Sequence, residues 1–384
     1  MNNNPIISLT DSISKNVGNN HIISSISYTG NLIYLVYSND NNNNNNNNLS
    51  KINATAQLFK NSDGKLTTIN TLPIDNNYPT IKEGHASQSF KKFSIIDISH
   101  DNIIRIRILD NNLKIIKNRE FTNYDTSFIG GSISNDEKYI IVAHYEKQQN
   151  KISNYGKAII HILDANTLET ITEYKQNGIF YCSPKFFSIN NKLYIILLLV
   201  EDKIVKCPYK LKIYELVQNQ IQFVTEVILP QLATSFDIYT RKNSVYVAIG
   251  TNKADLINEI NVNINKSIST ISNDGDELRL YKFKYNKIQL LFSKNMKCNI
   301  YTSIYYKLKY ILCHHYQSSI YPGFFTINRL QHFEDKIIIG NCVYIMEALI
   351  NFSSKFSGDG KWLIITGSHN NQDYNVNNIQ LFKI

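Results

Sequence analysis

The sequence predicts an all-β chain made of seven copies of one four-stranded antiparallel unit. Three observations predict it. The first is the unit itself, 130–176, GGSISNDEKYIIVAHYEKQQNKISNYGKAIIHILDANTLETITEYKQ. Gly131–Ser134 reads as a short first strand, and Asn135–Lys138 as a turn in which Asn and Asp bond their own backbone. Tyr139–Ala143 is an apolar, β-branched run suited to a strand buried on both faces. Ala158–Leu163 is a third strand, and Leu168–Tyr174 alternates as a fourth. Four strands in about 45 residues is the size of one propeller blade.

The second observation is recurrence. The buried second strand returns as Leu32–Val36, Phe93–Ile96, Leu193–Leu197, Val245–Ile249, Tyr310–Leu312 and Trp362–Ile365. The third returns as Ala56–Phe59, Ile104–Leu109, Leu211–Tyr214, Leu278–Tyr281 and Ile379–Phe382. Only the unit around Phe324–Phe333 is poorly defined. The third observation lies at the ends. The last unit stops after its third strand, and the N-terminus offers a spare strand at Pro5–Leu9. Pairing the two closes a ring and covers a sheet edge that would otherwise template aggregation. The expected architecture is therefore a seven-bladed β-propeller forming a single domain over 1–384. The closing strand falls in 5–13 and the blades at 25–74, 85–121, 130–176, 183–229, 235–296, 300–345 and 348–384.

Elements in order bear on function as follows. The Asn tract within 39–48 cannot bury apolar area against its ordering entropy, so it is expected to be disordered. Residues 75–90 read as a polar connector containing Gly84-His85. The segment 251–275 is the longest insertion, and within it Asn258–Ile264 alternates strictly, which is compatible with extra β-structure or with a fraying segment. The insertions 39–53, 146–156, 201–208, 251–275 and 369–377 all fall between second and third strands. In a propeller those hairpins open onto one face, which makes that face the expected partner surface.

The pattern resembles the WD40 repeat family. Gly84-His85 stands before Leu109-Asp110 at a family-like distance, and Leu163-Asp164 occupies the same place in the next unit. Phe59, Tyr214, Tyr281 and Phe382 fill the position of the family's Trp, and Phe356–Leu363 repeats its Ser–turn–Gly–Lys–apolar opening. No unit carries a true Trp-Asp pair. The resemblance implies a non-enzymatic scaffold, or a subunit of an intracellular complex, that binds protein partners.

Composition narrows the alternatives. The net charge is +9, yet of 40 basic residues only Arg105, Arg107, Arg119, Arg241, Arg279 and Arg329 are arginine, and the lysines are spread through every unit. Dispersed, lysine-dominated charge argues against a nucleic-acid footprint, which needs clustered phosphate contacts. Arg105 and Arg107 share one strand face, read as alternation on a solvated outer strand, with Lys282, Lys284 and Lys287 in the corresponding strands of the fifth unit. Five cysteines without paired spacing, and a start lacking a basic and apolar leader, predict a cytoplasmic or nuclear setting. The apolar run Leu193–Val200 is too short to span a membrane.

No nucleophile elbow, phosphate-binding loop, dinucleotide fingerprint or paired-cysteine motif is present. No catalytic, cofactor-binding or metal-ligating residue is assigned. The weak metal hint is His144, His315 and His369 at the exits of second strands, without carboxylate partners at ligand spacing. Two alternatives follow: a metal-dependent propeller lactonase or hydrolase, and a propeller subunit associated with RNA.

Overall fold

The computed structural model describes residues 8–16, 23–40, 52–74, 80–99, 101–122, 124–146, 157–200, 209–229, 232–252, 277–295, 299–304, 310–316, 324–333, 336–347, 350–371 and 374–384. Their strands form seven four-stranded antiparallel sheets. Strand β1 is Ser8–Asn16. Sheet one holds β2 (Ile23–Ile26), β3 (Leu32–Asp40), β4 (Ile52–Ser62) and β5 (Lys65–Ile74). Sheet two holds β6 (Thr80–Ala86), β7 (Lys92–Ile98), β8 (Ile104–Asp110) and β9 (Ile115–Phe121). Sheet three holds β10 (Tyr124–Ile133), β11 (Tyr139–Glu146), β12 (Lys157–Asp164) and β13 (Thr170–Asn177). Sheet four holds β14 (Ile179–Ile189), β15 (Lys192–Val200), β16 (Tyr209–Val217) and β17 (Gln220–Leu229). Sheet five holds β18 (Leu232–Arg241), β19 (Ser244–Asn252), β20 (Glu277–Lys284) and β21 (Lys287–Asn295). Sheet six holds β22 (Asn299–Ile304), β23 (Tyr310–Tyr316), β24 (Phe324–Phe333) and β25 (Lys336–Glu347). Sheet seven joins β26 (Ile350–Phe356), β27 (Trp362–Asn371) and β28 (Tyr374–Lys383) to β1.

The chain divides into two compact units. One comprises 1–175 and 349–384, and holds sheets seven, one, two and three; the other comprises 176–348, and holds sheets four, five and six. Within each unit the first strands of neighbouring sheets lie against one another. Apolar layers fill the spaces between the sheets. Ile33, Leu35 and Phe59 meet Trp362, Ile364 and Leu381 between sheets one and seven. Tyr34, Val36 and Leu58 meet Phe93, Ile95 and Leu109 between sheets one and two. Leu198, Leu211 and Ile213 meet Val247, Tyr281 and Phe283 between sheets four and five. Both faces of the central strands are thus covered, which is why those strands read as continuous apolar runs.

In the first unit one turn repeats four times. Ser27, Ser87, Ser134 and Ser357 end the first strand or follow it, and each Oγ accepts a hydrogen bond at 3.0–3.1 Å from the backbone N–H five residues on. The residue three positions after each serine is left-handed: Gly30 (φ 74°), Phe90 (φ 58°), Glu137 (φ 62°) and Gly360 (φ 75°). A Cβ on Gly30 would stand 2.2 Å from Trp362 Cδ1, so glycine serves both the turn and the close approach of the next sheet. The second unit instead uses two-residue turns such as Asn190-Asn191 (φ 51° and 62°), where Asn supplies the positive φ.

A second repeated device marks the fourth strands. Ile69, Ile116, Val224 and Leu291 are bulged residues without a register partner, each opposite the step into the aromatic or leucine position Phe59, Leu109, Tyr214 or Tyr281. In β1, Thr10 is bulged at the same place against Leu381 and Phe382. Such bulges bend and twist an outer strand and discourage pairing with a foreign edge.

Several expectations are corrected. The first strands begin earlier than the sequence suggests: β10 starts at Tyr124 and β6 at Thr80. Gly84-His85 lies inside β6, not in a connector between blades, because Gly84 packs against Val36 with no room for a Cβ. The expected loop 369–377 is mostly a long hairpin, with Asn371 opposite Tyr374. Polar composition hid it, since Asn-rich stretches read as turns and loops. The closing strand expected in 5–13 pairs over Ser8–Asn16, three residues further than expected, while 5–7 lie outside the described residues. The Asn tract 41–48, the loop 201–208, and nearly all of 146–156 and 251–275 with Asn258–Ile264 lie outside the described residues.

Candidate functional site

Of the three histidines the sequence singles out, only His144 has a described side chain; His315 and His369 lie in β23 and β27. His144 is not an exposed strand end. It is fully buried, and its Nδ1–H donates to the Tyr145 carbonyl at 3.0 Å. Its ring stacks on that of His161, with centroids 5.0 Å apart and planes 23° apart. The β11–β12 register explains the meeting, because His161 stands opposite Val142 and His144 opposite Ile159, so both rings project from one face. That face packs on sheet two, where Phe121 lies 5.5 Å from His161 and Arg119 sits over the Phe121 ring at 4.5 Å. Glu173 brings a carboxylate oxygen 3.4 Å from His161 Nδ1. Burial, followed by the neighbouring His144, lowers the His161 pKa to about 4.

The second buried polar group overturns the reading of Arg105 and Arg107 as solvated. Asp97 of β7 is fully buried; Arg105 Nε and Nη2 each lie 3.3 Å from its two carboxylate oxygens, and Arg107 Nη2 donates to Oδ2. These residues face sheet one, where Tyr34 is completely buried. Burial raises the Asp97 pKa and lowers that of Arg107, and each group's charge pulls the other back. Among the described residues, Tyr34 Oη and Arg107 Nε have no hydrogen-bond partner. The alternation was legible, but its sense was not, because both faces of a central strand are covered.

Charged groups on first strands are paired as well. Glu83 and His85 of β6 meet at 3.1 Å, and Lys185 of β14 bridges to Asp237 of β18 at 2.8 Å. Among the described residues, no three His, Cys, Asp or Glu side chains come together as a metal site. No helix among them is long and apolar enough to cross a membrane.

Exposed large apolar side chains follow the bulges. The residue preceding each bulge is Leu9, Thr68, Ile115, Phe223 or Leu290, and four of these are exposed apolar groups (Leu9 49%, Ile115 41%, Phe223 56%, Leu290 41%). Ile69 and Ile116, at the bulges themselves, are 51% and 49% exposed. On the second unit Ile228 of β17 and Tyr285, just before β21, add to the set. The fourth strands thus carry a repeated apolar rim, which the sequence reading missed because it looked for function in loops.

Four-stranded antiparallel blades packed face to face through apolar layers define an all-β propeller. No protein-family model matches the chain, and no curated protein matches its sequence. Solved structures do match. Hydrazine synthase from Kuenenia stuttgartiensis aligns with a TM-score of 0.60 at 12% identity, over 92% of this chain and 94% of that one. Raptor from Chaetomium thermophilum aligns at 0.57 and 11% identity, over 98% of this chain but 29% of its own. Prolyl oligopeptidase B from Galerina marginata aligns at 0.51 and 12% identity, over 92% of this chain and 48% of its own. At such identities the likeness is one of fold alone, and it includes proteins named as enzymes.

Proposed function

We propose that this protein is a WD40-like propeller, each of its seven sheets one blade, that acts as a non-enzymatic protein-binding scaffold. The observation carrying the reading is the apolar rim. Exposed apolar side chains scattered singly are normal, but here they recur at one structural position of the repeat. In the second unit β17 and β21 lie side by side and bring Phe223, Ile228 and Leu290 to neighbouring outer strands. Consistent with this reading, Asp97 is bonded to Arg105 and Arg107 within sheet two, and Lys185 to Asp237 between sheets four and five. The expected setting is the cytoplasm or nucleus.

The test is nuclease-treated affinity purification from native cells, with the wild-type chain beside a Phe223→Ser/Leu290→Ser variant. Both substituted positions are exposed, so folding should change by no more than about 0.5 kcal/mol each. A stoichiometric partner set that survives nuclease and is lost from the variant supports the rim as the docking surface. Partners retained by the variant move the docking surface elsewhere. Recovery of bare protein favours the propeller lactonase or hydrolase alternative, to be followed by metal analysis and a metabolite screen. Loss of all partners on nuclease treatment favours the RNA-associated alternative.

A further inference from the structure

We propose that the joint between sheets two and three is an acid-sensitive seam, closed at neutral pH and loosened in mild acid by protonation of the His144–His161 pair. The geometry carries this. Two imidazoles are stacked 5.0 Å apart beside the apolar layer that fills the joint, where Ile96, Ile98, Ile104 and Ile106 of β7 and β8 cannot solvate a cation. From β9 come Arg119 and Phe121, from β13 Glu173 and Lys175, and from β10 Ile129, which stands opposite His144. Among the described residues, a proton arriving on His161 meets the cations Arg119 and Lys175 and the carboxylate of Glu173, which is partly exposed and also bonded to Lys175 at 3.2 Å. The same seam is held at its rim by Arg119, whose Nη1 donates to the Leu168 carbonyl at 2.6 Å and to Thr170 Oγ1 at 2.9 Å. Charging the rings pits repulsion of Arg119 against those two bonds.

The direction of the effect follows from linkage. The His161 pKa is about 4 in the folded protein against an ordinary value of 6.5. Between those values the opened state binds more protons than the closed one, so stability is complete above 6.5 and falls as the pH drops toward 4. One linked proton changes the opening equilibrium by about tenfold per pH unit in that window.

The experiment is hydrogen–deuterium exchange on the whole chain at pH 7.5 and 5.0, corrected for intrinsic rates, comparing amides of β9, β11 and β12 with those of β15 and β16. The wild-type seam should open about tenfold or more in acid while β15 and β16 do not, and a His144→Gln/His161→Gln variant should lose the response. Glu173→Gln, which removes the carboxylate that raises the His161 pKa and leaves the rings in place, should move the His161 ring titration to lower pH and leave the onset of opening below pH 6.5 unchanged. Should the double variant fail to fold, a ring-resonance titration of the wild-type histidines decides. Titration of His161 near 6.5 overturns the proposal, as does an acid response equal in seam and reference strands.

Discussion

Asp97 shows how a single buried residue can tie two strands of one sheet at a cost in tolerance. Its one carboxylate is bonded to both Arg105 and Arg107 in a layer closed to water, so its removal takes that counter-charge away from the guanidinium groups beside Tyr34. Breaking a buried ion pair by deleting one partner costs roughly 3–5 kcal/mol. Asp97→Ala should therefore lower the stability of the first unit by about that amount, measured by chemical denaturation with a probe in sheets one or two. Replacing all three charged residues by apolar ones of similar volume should recover most of the loss, because the cost comes from the uncompensated charge and not from missing contacts. A small effect of Asp97→Ala would mean that the arginines find solvent. The sequence placed Arg105 and Arg107 on one face correctly. It did not show that Asp97, ten residues before Arg107, is the partner, because cross-strand pairing of β7 with β8 depends on a register set by the intervening turn.

Elements were more legible than residues. The alternating and continuous apolar runs placed β3, β7, β11, β15, β19 and β27 close to where they are found, because a strand covered on both faces leaves an unmistakable composition. The aromatic positions Phe59, Tyr214, Tyr281 and Phe382 are all buried, as their place in the repeat requires. First strands were legible only in part, Gly131–Ser134 marking the end of the longer β10, and the bulges were not legible at all. A first strand such as Thr80–Ala86 contains Lys82, Glu83, Gly84 and His85, and nothing in that composition announces a strand. The serine turn, by contrast, is written in the sequence and carries a measurable energy. Ser87 and Ser134 are buried, and each accepts a backbone N–H that would otherwise be left without a partner. Ser87→Ala and Ser134→Ala should each cost about 1–2 kcal/mol by denaturant midpoint, the cost of orphaning a buried donor. Because the two turns belong to different sheets, the double variant should come close to the sum of the single ones. A neutral outcome would show that the backbone bonds from each serine's own N–H and C=O suffice to hold the turn.

On the scale of the whole chain, the decisive element is the one farthest from its partner in sequence. β1 pairs with β28 from Ser8 opposite Lys383 to Asn16 opposite Val376. Its equivalence to the other fourth strands rests on more than pairing, since Thr10 is bulged opposite Leu381 and Phe382 just as Ile69, Ile116, Val224 and Leu291 are bulged in their sheets. β1 also reaches the next sheet, where Asp11 Oδ2 accepts the Leu66 N–H at 2.7 Å and Thr10 fills the space over Gly64. The sequence made this strand visible as a surplus at one end and a deficit at the other, and it centred the strand on the more apolar Pro5–Leu9, whereas the described ladder runs on through the more polar residues to Asn16. Removing residues 1–16 should therefore expose the edge of β28, with apolar residues such as Leu381 and Phe382 freed on one side, and make the first unit prone to edge-to-edge association. The expected result is concentration-dependent light scattering, together with faster amide exchange in β28 while β15 and β16 in the second unit keep their protection. Adding a peptide of residues 5–18 should reverse both effects, since it restores the missing ladder and the contact with Leu66. Unchanged exchange in β28 after truncation would show that sheet seven is held by its packing on sheet one alone, and that the N-terminal strand ornaments the blade without completing it.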